Sequence, residues 1–305
     1  MQAMHLSQPC SRHRLPAGSL KLQQLKPRGN FKDAELRRFL HQHPHISRLS
    51  MLLTDRKAVA VCRDIPQITC LSLCPSRKEP QLDVLMSWPR QLKSLTKWST
   101  LKELHLYSCT SPPFHNHLSS LSALTGLCSL NIHGSGFSYD ETKWLSVLQS
   151  LTCLQMAHCP SAECAEALSC LRYLYTDDGV TETQARSLSR LTRLDWNCTE
   201  YPAPQSCMRN VQSMQGLRHL YYKGSDVYGL EHFSSLTRLT TLHLSETWTV
   251  HDYAEDADRL STLTALHDLN IRYYKQLEFP GLTQRMQLVR VNDASGPRVS
   301  IVRVA

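Results

Sequence analysis

A parallel β-sheet with one short strand per repeat, backed by helices, turns and loops in an α/β solenoid, is the fold class that this 305-residue sequence predicts. Three observations predict it. The first is local: in FSSLTRLTTLHLSET, residues 233 to 247, leucines stand at 236, 239, 242 and 244. Steps of three suit a tight turn or one short helical face, whereas the final step of two is the period of a strand, and no helix keeps both spacings on one side. The stretch reads as coil entering a strand, with Leu242 and Leu244 inward and Thr241, His243 and Ser245 outward. The second observation is recurrence. Copies of this LxxLxL shape, with another apolar residue or Thr replacing a leucine in places, start at Ile46, Ile68, Leu101, Leu127, Leu151, Leu171, Leu191, Leu217, Leu239, Leu266 and Met286, 20 to 33 residues apart. A strand this small cannot bury its own apolar side, so stacking on neighbours is what would stabilise it. The third lies between copies. In NFKDAELRRFLHQHPHISRLSM, residues 30 to 51, Phe31, Leu36, Phe39 and Leu40 share a helical face ahead of Pro44 and the strand, and AVAVCRDIPQITCLSL, residues 58 to 73, repeats the order.

On these residues the chain resembles the leucine-rich repeat superfamily, over roughly residues 30 to 292. The resemblance implies a horseshoe with a concave parallel sheet and convex helices, turns and loops. Residues 30 to 74 look like the longer, cysteine-containing repeats of the F-box and leucine-rich repeat family and of ribonuclease-inhibitor-like horseshoes, and the later copies look like the compact repeats of plant, algal and some bacterial proteins. LPAGSL at residues 15 to 20 opens as an F-box opens, but the acidic and apolar helices that should follow are missing. The resemblance further implies a small donor-capable side chain, turned inward, three residues after the last apolar strand position. That position holds Thr54, Ser76, Cys109, Ser135, Cys159, Thr199, Ser225 and Thr247, while Gly179, Tyr274 and Ala294 depart from it. Cys62, Cys164 and Cys170 then read as small core residues.

A solenoid grows by adding repeats, so one domain is expected: a basic, flexible segment at 1–29, about eleven repeats at 30–292, and a cap or tail at 293–305. Hydrophobic residues at 41% and charged ones at 20% are ordinary for a soluble chain, and no apolar run approaches the ~18 residues of a membrane span. The first 20 residues contain no continuous apolar core of a signal peptide, so reduced thiols and a cytoplasmic location are expected, with nuclear or organellar destinations as alternatives. Asn197-Cys198-Thr199 matches a glycosylation sequon by pattern and has meaning only in a secreted chain. Residues 1 to 50 hold nine Lys or Arg against Asp33 and Glu35. That basic arm reads as a lead into the first repeat, with a transit peptide or a nucleic-acid arm as alternatives; it lacks the aromatic interleaving that nucleic-acid modules use.

Candidate chemistry is placed by the same register. His41, His43 and His45, with Cys62, Cys70 and Cys74, are zinc-capable types. The repeat puts Cys62 on a helix, Cys70 and Cys74 at outward strand positions and His41 at a helix end, so no metal site is expected. His115-Asn116-His117 falls in a Pro-rich convex loop, and Asp177-Asp178-Gly179 makes a turn after a strand. Gly134-Ser135-Gly136 lacks the further glycine and helix of a dinucleotide site. No cofactor and no enzymatic activity are expected.

What remains is the concave sheet. Equivalent outward positions of stacked strands form rows with a spacing of about 4.8 Å. One row runs His105, Asn131, Gln155, Tyr175, Asp195, Tyr221, His243, Asn270, and its neighbour Glu103, Ser129, Cys153, Tyr173, Arg193, His219, Thr241, Asp268. Tyr and Arg combine large contact area with a polar tip and dominate binding hot spots. The predicted site is therefore Tyr173, Tyr175, Arg193, Asp195, His219, Tyr221 and His243, recognising a protein or peptide, with no small-molecule substrate and no membrane. Two other readings stay open: a substrate receptor of an F-box-type ubiquitin ligase, implied only by the resemblance of residues 30 to 74, and nucleic-acid binding through the basic arm.

Overall fold

Among the described residues, the step of three that leads into a copy's first apolar position, as from Leu236 to Leu239, is a tight turn closed by a main-chain bond from residue i to residue i−3. A computed structural model describes residues 3–6, 24–27, 33–52, 65–74, 92–107, 112–132, 139–198, 205–224, 230–245, 260, 262–272, 286–293 and 296–303. In them the Leu127 N–H donates to the Leu124 carbonyl, Leu191 to Leu188 and Leu239 to Leu236, each at 2.9 Å. Two longer stretches, Pro112–Ala123 and Tyr139–Val147, are 3₁₀ helices. With three residues per turn they eclipse positions i and i+3, which is why Leu118, Leu121 and Leu124 are all buried. His115-Asn116-His117 lies in the first of these, a helix rather than the loop expected from its prolines. Among the described residues no helix is long and apolar enough to cross a membrane.

Ten of the eleven copies carry a strand whose first residue comes two after the copy's first apolar residue, and this offset turns the +3 and +5 side chains inward. The chain divides into two compact units, Met1–Leu151 and Thr152–Ala305. In the first unit, six strands run parallel in chain order: β1 (Ala3–Leu6), β2 (Gln24–Pro27), β3 (Arg48–Leu52), β4 (Cys70–Cys74), β5 (Glu103–Leu106) and β6 (Ser129–Asn131). Strands β1 and β2 lie inside the stretch the sequence leaves as a flexible lead. Helix α1 (Asp33–Gln42) buries Leu36 and Leu40, one turn apart, and stops two residues before Pro44.

In the second unit β7 (Cys153–Gln155), β8 (Tyr173–Thr176), β9 (Arg193–Asn197), β10 (His219–Lys223), β11 (Thr241–Ser245) and β12 (Asp268–Arg272) follow in parallel where their pairings are described. One carbonyl per repeat ties them together. Arg172 O accepts from Thr192 N and Arg193 N, both at 2.9 Å; Thr192 O accepts from Arg218 N and His219 N at 2.8 and 3.0 Å; Arg218 O accepts from Thr240 N and Thr241 N at 2.8 and 3.0 Å. The backing helices are short: α2 (Ala162–Ala167), α3 (Glu182–Ser187) and α4 (Gln205–Val211). Ser161 caps α2, and Thr181 with Gln184 forms a capping box on α3 that leaves the buried Gln184 Nε2 to donate to Pro160 O at 2.7 Å.

Four readings change. The copy at Met286 is not an eleventh parallel repeat: β13 (Met286–Asp293) and β14 (Gly296–Arg303) form an antiparallel hairpin, and β14 is the one that lies antiparallel on β12. Ser245, the last residue of β11, is buried rather than outward. Cys170 stands in the turn before β8 and is exposed, whereas Cys164 is core as expected. Cys70 occupies an outward row yet is only 3% exposed. The reason is a bridge above it: Arg48 on β3 and Glu103 on β5 flank Cys70 in register, and their side chains meet at 2.6 and 3.2 Å. Cys70, Cys128, Cys153, Cys159, Cys164, Cys170 and Cys198 are free thiols. Of the inward polar ladder, Cys159 is buried at its expected place, and Gly179 directly follows the bend that Asp177 and Asp178 make after β8. Thr54, Cys62, Ser76, Cys109, Ser135, Thr199, Ser225, Thr247, Tyr274 and Ala294 fall outside the described residues, as do Gly134 and Gly136.

Candidate recognition surface on the sheet

Parallel register alone brings the seven predicted residues together. Tyr173, Arg193, His219 and Thr241 are successive partners across β8 to β11, and Tyr175, Asp195, Tyr221 and His243 form the row beside them. Alternation of the inward residues Leu174, Leu194, Leu220 and Leu242, all at most 1% exposed, forces the two rows outward. Trp196 and Tyr222 replace leucine at the last inward position and meet edge to face at 5.0 Å, thickening the core under the patch.

The rows are not seven free side chains. Arg193 forks onto Asp195, with Nε to Oδ1 at 2.9 Å and Nη2 to Oδ2 at 2.8 Å, and its guanidinium lies 4.8 Å from the centre of the Tyr173 ring. The Tyr173 hydroxyl donates to the same Asp195 at 2.8 Å. Tyr175 donates to Asp177 at 3.0 Å, and Asn197 Nδ2 donates to that same oxygen at 2.9 Å. His243 tilts against Tyr221 with centroids 5.4 Å apart and reaches Asp268 at 3.2 Å, while His219 Nδ1 lies 3.1 Å from the Thr241 hydroxyl. As a result Tyr173, Tyr175, Asp195 and His243 are half-buried, and Arg193, His219 and Tyr221 stay exposed, Tyr221 at 39%.

The electrostatics follow from these contacts. Burial, then the bond to Asp195, raises the Tyr173 hydroxyl; burial, then the charge of Asp177, pushes Tyr175 up to about 12. The bond to Asp195 raises Arg193 against the opposing effect of burial. Both tyrosines are neutral donors and Arg193 is a fixed, paired cation at neutral pH. Asp177, Asn197, Thr241 and Asp268 complete the network. Asp177 stood in the sequence only as a turn residue, and nothing in the strand period shows that Tyr175 bends back to it.

The metal-capable side chains sort differently from expectation. His43 packs on Phe39 at 4.4 Å and faces His45 edge-on at 5.7 Å. Among the described residues the cluster able to offer three ligand atoms is Cys70, Glu103 and His105, within 4.8 Å of one another. Both oxygens of Glu103 are engaged by Arg48, burial pushes the Cys70 thiol up to about 12, and burial lowers His105. A neutral thiol beside a carboxylate already satisfied by a guanidinium is a packed polar cluster, with its charge balanced before any cation arrives.

No family model and no curated protein matches the chain. Solved structures do. An internalin (inlF) of Listeria monocytogenes superposes with a TM-score of 0.50 at 16% identity, covering 86% of this chain and 77% of that one. An internalin C2 of the same species gives 0.40 at 14% identity, with 80% and 88% covered, and a leucine-rich repeat protein of Leptospira interrogans gives 0.43 at 14%, with 77% and 64% covered. At these identities the likeness speaks for architecture, and with the repeating strand register it establishes the fold as a leucine-rich repeat solenoid.

Proposed function

We propose that the outward face of β8 to β11 is a non-enzymatic recognition surface for a protein or peptide, with Arg193, His219 and Tyr221 making contact and Tyr173, Tyr175, Asp195 and His243 holding them in place. The observation that carries this reading is the network itself. Side chains already fixed by one another lose little further freedom on binding, so less of the contact energy is offset by ordering. A leucine-rich repeat fold, usually a binding scaffold rather than an enzyme, is consistent with it.

The test is capture of a partner by the parent chain, followed by affinity measurement with variants. Tyr221→Ala is expected to weaken binding by about 2 kcal/mol, roughly 30-fold. Lys143→Ala and Arg186→Ala, on exposed positions of the backing helices, are expected to bind within twofold of the parent. Full binding by Tyr221→Ala, with loss in the helix variants, would move recognition to the opposite face.

A further inference from the structure

Beside the starts of the same strands, a cleft of about 670 Å³ is lined by Arg172, Arg190, Arg218, Arg238, Gly216 and His219 among others, and by no carboxylate. The arginines come from four successive repeats. Arg172 and Arg218 directly precede β8 and β10; Arg190 and Arg238 stand three residues before β9 and β11. One cation per strand step, alternating between two adjacent rows, spreads four charges over about 14 Å at a strand spacing of about 4.8 Å. The rows are held by the shared carbonyls of Arg172, Thr192 and Arg218, each accepting from two N–H groups of the next repeat. Gly216 adds only backbone to the wall. A Cβ there would meet Ser189 O at 2.6 Å and Leu191 O at 3.0 Å, so neighbouring main chains close up behind the cleft.

These cations differ from those held in ion pairs. Arg193, Arg48 and Arg186 are each paired with a carboxylate. Among the described residues Arg190, Arg218 and Arg238 have no side-chain hydrogen bond or ion pair, and Arg172 reaches only the main-chain carbonyls of Leu171 and Ser169, at 3.0 and 3.3 Å. Four like charges gathered without counter-charge repel one another and raise the local potential, and an anion relieves both.

We propose that this cleft binds an acidic, Asp/Glu-rich segment of the protein partner. The proposal rests on the recognition surface above, with which the cleft shares His219, and it names the chemistry of what that surface takes. A small free anion reaches one or two of four charges spread over three strand steps, whereas an extended chain, rising about 3.3 Å per residue, meets all four within about five residues. Guanidinium groups pair with carboxylates through two parallel bonds. Single-stranded nucleic acid also carries spaced charge, but it relies on aromatic platforms for its bases, and the lining holds no Phe, Tyr or Trp.

The experiment measures binding of fluorescein-labelled octaglutamate to the full chain by anisotropy, at 50 and 300 mM salt, beside an eight-nucleotide single-stranded DNA. The parent chain is expected to bind octaglutamate and to bind the oligonucleotide more weakly. Arg190→Gln/Arg238→Gln is expected to lose at least tenfold and to show a shallower salt dependence. The charge-matched control Arg186→Gln/Arg209→Gln is expected to stay within twofold. Thermal melting of each variant confirms folding, and Arg218→Gln serves if the double substitution unfolds the chain. No binding of octaglutamate, equal loss in both double variants, or tighter binding of the oligonucleotide through the same arginines would overturn the proposal. A captured partner weakened by Tyr221→Ala but indifferent to the cleft arginines would sink the acidic-segment inference and leave the recognition surface standing. Octaglutamate held by the arginines, with a partner indifferent to Tyr221→Ala, would do the reverse.

Discussion

Asp195 holds both the Tyr173 hydroxyl and the Arg193 fork, and Asp177 does the equivalent for Tyr175 and Asn197, so two carboxylates fix most of the predicted site. The rows were legible in the sequence because strand period is fixed at two. The internal pairing was not, since it depends on how far each side chain leans along the strand. A pH experiment isolates one of these bonds. An unfolded tyrosine ionises near 10, and folded Tyr175 is pushed up to about 12. The folded state therefore binds more protons in that interval: the contribution is fully present below pH 10 and is lost as pH rises through 12. In urea melts, Tyr175→Phe is expected to start about 1 kcal/mol lower at pH 8, for the lost hydrogen bond, and then to decline less than the parent between pH 10 and 12. Parallel curves would assign the alkaline loss to other groups.

At the scale of one strand, the alternation on β11 makes neighbouring positions opposite in consequence. Leu242 is fully buried, whereas His243 is half-buried, resting on Tyr221 and Asp268. Leu242→Arg is expected to cost several kcal/mol by burying an unpaired charge, and it should abolish cooperative unfolding followed by circular dichroism. His243→Arg can still pair with Asp268 and stack on Tyr221, and is expected within about 0.5 kcal/mol of the parent. Equal losses would refute the register. Ser245 shows where pattern reading stops. It occupies an outward position by count, yet it is buried at the strand end, because burial depends on what covers a position as well as on its side of the strand. Trp196 and Tyr222 were hidden for another reason, since a motif written in leucines does not reveal aromatic residues serving as core.

For the molecule as a whole, an open parallel stack leaves an edge that could pair with another chain, and terminal structures must cover it. In the Thr152–Ala305 unit β14 performs that task by lying antiparallel on β12, five residue pairs long, with β13 outside it. Apolar spacing made Met286 look like one more repeat, because a hairpin strand and a repeat strand share the same period of two. Truncation after residue 285 removes the cover from β12. The shortened chain is expected to associate with increasing concentration in light scattering and to unfold less cooperatively, while the intact chain remains of one size. A monodisperse, cooperative truncated chain would show that the hairpin contributes nothing to closing the sheet.

The exposed thiol of Cys170 has a use that follows from its address. By repeat position it stands in the same row as Arg190, Gly216 and Arg238, one strand step ahead of the first of them and two residues from Arg172. Cys70 lies beneath the Arg48–Glu103 bridge, Cys159, Cys164 and Cys198 are buried in the core, and Cys128 and Cys153 are half-buried. Alkylating reagents should therefore discriminate among them by access, and a maleimide dye would attach to Cys170 ahead of these others. A label on Cys170 would stand two residues from Arg172 and one strand step from Arg190, where a change in fluorescence would report an occupant's arrival without any residue of the cleft being altered.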